Sequence, residues 1–376
     1  MATQTISVTL QYEKSIGRAE FSGPGFRNPV AMARGEDDTM YVVSRSYEYR
    51  PDGKRITICT TDEDYVGEFA RGVTDQGEGE ATSADGALIW PTAIAINSEG
   101  NVYVADEALD RVSIYSQDGE FLGKWEKSGS GDGEWSKPSG LAFGPNDVLY
   151  MVDSGNNRVQ KFGKDGEFLG KWGTRGTGDG EFNMPYGITV DAKGDVYVAD
   201  WRNDRIQKFS SEGQFLMKFG SHGSDPGELD RPTDVAVDSD GDIFVADWNN
   251  ERLQVFDRDG NYLTHTDGEG TLSKWGAAKL DGGNPEMWHE RAVAQGLERE
   301  KLFWGPIAVE VDDDGKIFVV ESARSRIQVF RKQYPRYYGP GETMPGTVGG
   351  VGSGRLELLA NTHILSNYNL KWSRRR

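Results

Sequence analysis

A single cysteine, Cys59, stands in 376 residues, so the chain closes no internal disulfide. The Cys/His arrangement of thiol enzymes and the nucleophile elbow of serine hydrolases are both missing. No stretch approaches the roughly 18 apolar residues of a membrane span. The opening MATQTISVTLQYEKS lacks the charged-then-apolar pattern of a leader. Together these make the cytoplasm the expected compartment and a membrane no partner. Positive charge is also short. Acidic residues outnumber Lys and Arg by 60 to 42, a formal charge of −18, and such a surface repels polyphosphate, so nucleic acid is not an expected partner and no nucleotide cofactor is expected.

What is present is repetition. Pro91, Pro138, Pro185 and Pro232 stand 47 residues apart, and each opens a near-copy of one sentence. Asn28-Pro29-Val30 starts an earlier copy and Gly305-Pro306-Ile307 a later one, making six. Each copy holds four short runs rich in Val, Ile, Tyr and Phe between turn residues, in the fourth roughly Gly187–Val190, Asp195–Ala199, Arg205–Phe209 and Phe215–Phe219. No segment of the repeat carries a 3.6-residue apolar period, which excludes a helical solenoid. A four-stranded sheet that is apolar on both faces must be covered on both. The expected fold is therefore all-β, a six-bladed β-propeller of four-stranded antiparallel blades. The sixth copy lacks its fourth strand, and residues near 6–14 are expected to supply it, closing the ring. Residues 1–332 then form the propeller, with an insertion at about 265–304. Residues 333–376 form a Gly-rich C-terminal tail.

The recurring GDVYVAD-W-x-N-D/E-R-[IL]-Q-x-F, preceded by P-x-[GD]-[IV]-x-V-D, resembles the NHL repeat over about residues 8 to 332. The resemblance implies a six-bladed NHL propeller and no single function, since that family holds enzymes, RNA binders and scaffolds. A more distant resemblance is to the peptidyl-hydroxyglycine amidating lyases, which carry zinc-binding histidines directly after the blade-opening prolines. Here those positions are Val30, Thr92, Ser139, Tyr186, Thr233 and Ile307.

Comparing the copies with one another separates scaffold from candidate site. Asp106, Asp153, Asp200 and Asp247, each followed five residues later by Arg111, Arg158, Arg205 and Arg252, recur and are expected to brace their own blades. Asp238-Ser-Asp240-Gly-Asp242 resembles part of a calcium loop but coincides with a hairpin turn. The departures are more informative. Asp234 and Glu310 occupy inner-strand positions that are Ala, Gly or Thr elsewhere, Tyr186 sits at the channel mouth, and Arg34 replaces Ile, Phe or Val. A carboxylate there is costly unless paired, metal-bound or wet. Glu321 replaces the recurring Asp in copy six, and Ser44 does so in copy one.

Three insertions, Ser44–Arg55, Phe69–Trp90 and His265–Trp304, are expected over one mouth of the channel. The last carries a helix signal, Asn284 and Pro285 leading into Glu286–Phe303, with Trp288 on its packing side. His222, His265 and His289 lie on the same face as a possible trio of ligands for zinc. Arg45 and Tyr47 stand at that mouth as clamps for an anionic or aromatic ligand. The expectation is a small-molecule ligand, with Trp201, Trp248, Trp288 and Glu321 among the contacts. If the protein is catalytic, the class is a metal-assisted lyase or hydrolase using zinc, calcium or manganese. Asp234 and Glu310 would be ligand or base, Tyr186 the acid–base group, and Arg34 or Arg45 the anion clamp. The competing expectation is a protein-interaction platform anchored by Trp201 and Trp248.

Overall fold

The computed structural model describes residues 8–46, 53–71, 84–283 and 286–334. Two units are separable: Leu10–Lys332, and the chain ends Met1–Thr9 with Gln333–Arg376. Residues 8, 9, 333 and 334 are the described part of the second unit, so the Gly-rich tail lies outside the described residues.

The first unit is a ring of six antiparallel four-stranded sheets, the first five in sequence order from the axis outward. Blade 4 runs Ile188–Val190, Val196–Asp200, Arg205–Phe209 and Phe215–Phe219, close to the repeat-based reading. The last blade is completed from the other end of the chain, in the order Thr9–Ile16, Arg326–Gln333, Lys316–Glu321, Pro306–Val311. The ring is thus closed by the N-terminal strand, which pairs the outer edge of the sixth sheet.

Strand alternation builds the core. In Val196-Tyr-Val-Ala199, Val196 and Val198 pack with Val152 and Val159 of blade 3, whereas Tyr197 and Ala199 pack with Ile243 and Val245 of blade 5. Among the described residues, six such apolar clusters each fill one seam between neighbouring blades. The blades also share a polar brace. Arg158, Arg205 and Arg252 donate from Nε to Asp153, Asp200 and Asp247 at 2.7, 2.9 and 2.8 Å. The same carboxylates accept backbone N–H groups of Ser136, Asn183 and Asp230, each at 2.8 Å, which fixes the chain just before the blade-opening proline. Removing one partner of such a buried pair costs about 3–5 kcal/mol.

The insertion at 265–304 departs from expectation. Its helix signal resolves into two short helices, Glu286–Val293 and Glu298–Lys301, because the chain turns through Gly296 at φ +79°. A further helix, Lys274–Asp281, precedes them, capped by Ser273, whose hydroxyl accepts from Gly276 N. The expected Asn284 cap lies outside the described residues. Helix Lys274–Asp281 packs on the seam between the last and first blades. Trp275 is buried edge-on against Phe26, 5.8 Å between ring centres. Ser273 Oγ donates to Gly17 O at 2.6 Å, and Glu63 accepts from Gly17 N at 2.6 Å and Trp275 N at 2.9 Å. This insertion clamps the closure.

Candidate functional site

The six inner strands line one axial channel, a cavity of about 70 Å³. Above it, on the side of the blade-opening prolines, lies a wider cavity of about 310 Å³. Tyr186, Thr233 and Ile307 line both and form the floor between them.

The position after each opening proline explains that floor. Thr92 Oγ1 donates to Pro138 O at 2.8 Å, Ser139 Oγ to Pro185 O at 3.2 Å, and Thr233 Oγ1 to Pro306 O at 3.4 Å. Each hydroxyl ties one blade to the opening of the next. Val30 cannot do this, and Arg45 takes over: its Nε donates to Pro91 O at 3.0 Å. The guanidinium stacks 4.7 Å above the Trp90 ring and donates from Nη2 to Tyr186 Oη at 3.2 Å. Arg45 belongs to blade 1 and Tyr186 to blade 4, opposite members of a six-membered ring, so the pair bars the channel mouth across its diameter.

The wall of the upper cavity is one register read six times, the residue that follows the brace carboxylate or its substitute. In chain order it is Arg45, Glu107, Ser154, Trp201, Trp248 and Ser322. Lys137 and Met184, each just before an opening proline, complete the lining. Burial pushes the Glu107 carboxyl up from its ordinary range, against the pull of Arg45 and Lys137. Glu107 and Lys137 escaped the sequence reading, which compared inner-strand positions and not the register after the brace. The same comparison of copies, moved by one residue, exposes them as singular.

Asp234 and Glu310 lie below, in the channel. Asp234 Oδ2 accepts from Val309 N of the next blade at 3.0 Å, and a methyl on Gly187 would overlap Asp234 Oδ1. Desolvation raises Asp234 to about 7. Desolvation and the neighbouring Asp234 raise Glu310 to about 8, opposed by Arg34.

Several expected site residues lie elsewhere. Arg34 sits at the far end of its strand, about 16 Å along from Pro29 at ~3.3 Å per residue. It faces Asp38 at 3.3 Å and Asp312 at 3.7 Å, so it cannot act beside Tyr186. Glu321 is fully buried and holds Arg326, Gln328 and Trp304 N, repeating the brace of blades 3 to 5 and leaving nothing for a substrate. Trp288 is exposed, donates to Asp281 at 2.9 Å and does not line the cavity. No described residue of 265–304 does, because its helix Lys274–Asp281 is spent on the seam. Tyr47 lies outside the described residues.

The expected metal centre is not assembled. Among the described residues, the one group of three metal-type side chains is Asp204, His222 and Asp230, and it does not contribute to either axial cavity. His265 meets Tyr262 Oη at 2.5 Å, and His289 is exposed on its helix, so the three histidines do not converge. The channel offers two carboxylates, one oxygen already taken by Val309 N, which is short of the three protein ligands of catalytic zinc or the six oxygens of calcium. In the mouth, Glu107 is flanked by two cations. The described residues of the two axial cavities do not fit a divalent ion. The calcium-like loop holds an ammonium instead: Lys332 Nζ lies 2.5, 2.9 and 2.7 Å from Asp238, Asp240 and Asp242.

Comparison with known proteins agrees with the architecture. The NHL repeat model matches residues 136–162, 182–209 and 229–256, so the chain carries NHL repeats in a six-bladed propeller. No curated protein matches the sequence. A structural genomics protein of unknown function from Bacteroides thetaiotaomicron superposes with a TM-score of 0.56 at 17% identity, over 87% of this chain and 76% of that one. Virginiamycin B lyase from Staphylococcus aureus gives 0.52 at 12% identity, over 86% and 99%. A streptogramin B lyase gives 0.51 at 12%, over 88% and 100%. At these identities the likeness is one of fold. Among the described residues no helix is long and apolar enough to cross a membrane.

Proposed function

We propose that the protein is a small-molecule enzyme of the lyase or hydrolase class, working by acid–base chemistry in the mouth cavity. One observation carries this reading: a carboxylate with a raised pKa and a phenol held by a guanidinium face the same 310 Å³ space. Glu107 acts as the base, since burial raises its carboxyl and makes it a better proton acceptor than an exposed glutamate. Tyr186 acts as the acid, with Arg45 Nη2 at 3.2 Å stabilising the phenolate it leaves behind. Trp201 and Trp248 supply the apolar wall. That two lyases share the fold is consistent with the class and says nothing of the substrate. The platform alternative is less well supported, because both tryptophans line a concavity and do not project from a flat face. A thermal-shift screen of small molecules against the wild-type protein, Glu107→Gln and Trp248→Ala tests the reading. Compounds that stabilise the wild type, lose that effect in Trp248→Ala and show an altered effect in Glu107→Gln are expected. A set of ligands indifferent to both substitutions would overturn it.

A further inference from the structure

We propose that the ligand of the mouth cavity is a monoanionic aromatic carboxylate, an inference that rests on the preceding assignment of the site. The cavity lining divides by arc. Arg45, Glu107 and Lys137 come from blades 1 to 3, while Met184, Trp201 and Trp248 come from blades 4 and 5 on the facing side. A ligand that fills such a space carries a flat apolar end and a charged end.

The sign follows from the inventory. Among the described lining residues two cations face one carboxylate, a net positive charge of one in a chain whose formal charge is −18. Low-dielectric walls focus that local field, so a single negative charge is favoured and a cation is repelled. The same count disfavours a dianion such as a phosphate monoester, whose second charge would meet Glu107. Arg45 is set to receive the anion. Its Nε is pinned to Pro91 O and its plane lies over Trp90, so little side-chain freedom is lost on binding. The Tyr186 hydroxyl, 3.2 Å from Nη2, takes one guanidinium N–H and Pro91 O another. The remaining N–H donors meet the carboxylate, so Tyr186 keeps its partner while the ligand binds. A cavity of 310 Å³ is near the lower limit for small-molecule sites, which suits one or two rings. The ring rests between the indoles of the far arc.

Isothermal titration with indole-3-acetate, indole-3-acetamide, tryptamine, phenylacetate and phenyl phosphate tests this on the full chain. Indole-3-acetate is expected to bind about tenfold more tightly than its amide, with tryptamine weaker still. Arg45→Gln should weaken it by about tenfold or more and Trp248→Ala comparably. Because Arg45 also ties two blades, Lys137→Gln serves as the second variant: its side chain is exposed and the expected loss is about three- to fivefold. If the amide or tryptamine binds as tightly and Trp248→Ala still abolishes binding, the carboxylate class is wrong while the mouth remains the site. Tighter binding of phenyl phosphate overturns the monoanion assignment. Failure of both carboxylates to bind at about 10 mM overturns the proposal. Carboxylate binding unchanged by all three substitutions overturns both the proposal and the site.

Discussion

Tyr186 holds the arrangement together at the level of single residues, because its hydroxyl is shared between a bar across the channel and the proposed chemistry. Tyr186→Phe keeps the ring and removes that hydroxyl. It is expected to lower turnover by about a hundredfold or more while ligand affinity changes little, which steady-state kinetics beside titration would resolve. Asp234 and Glu310 give a second test. Their folded pKa values, about 7 and about 8, lie above the ordinary carboxylate range, so the native state holds these protons more tightly than the unfolded chain. Their contribution is fully present below about pH 4 and is lost as pH rises through 7 and 8. Glu310→Gln removes one of the two terms. Chemical denaturation at pH 5 and at pH 8 should show the variant gaining on the wild type at the higher pH. A constant difference between the two would refute the assignment.

Elements were legible in proportion to how often they recur. Every blade strand repeats, so alternation and turn glycines located them. The brace of Asp200 with Arg205 was readable for the same reason. The insertion at 265–304 occurs once and offered only local propensity, which ran a single helix through Gly296 and missed the helix at Lys274–Asp281. Its destination was not readable at all, since the partners of Trp275 are Phe26 and Glu63, more than 200 residues earlier in the chain. Arg34 and Tyr186 were both recognised as singular, but singularity along an inner strand does not say which end of the channel is meant. Glu321 was singular only in length, one methylene longer than the aspartate it replaces. Clamping by the inserted helix leads to a further expectation. Trp275→Ala should cost about 3–5 kcal/mol, the range for emptying a buried aromatic site, and should lower the denaturant midpoint without changing its slope.

At the largest scale, the unit Leu10–Lys332 is a ring whose two ends meet in one sheet. Removing residues 1–16 would leave Arg326–Gln333 as a bare edge and also take from the insertion the Tyr12 and Ser15 hydroxyls that meet Thr271. Such a truncation is expected to associate through that edge, visible as dimers or larger species in size-exclusion chromatography, where the intact chain has its edge covered.

The stapling hydroxyls at the channel mouth carry an implication for how such a protein can be altered. Thr92, Ser139 and Thr233 serve construction and surface at once, so exchanging any of them for a new contact residue loosens the join to the following blade. Val30, Tyr186 and Ile307 carry no such staple, but Val30 is buried in a seam and Tyr186 holds Arg45. The half-buried Ile307 is therefore the place on this rim where ligand preference can be altered without loosening a join.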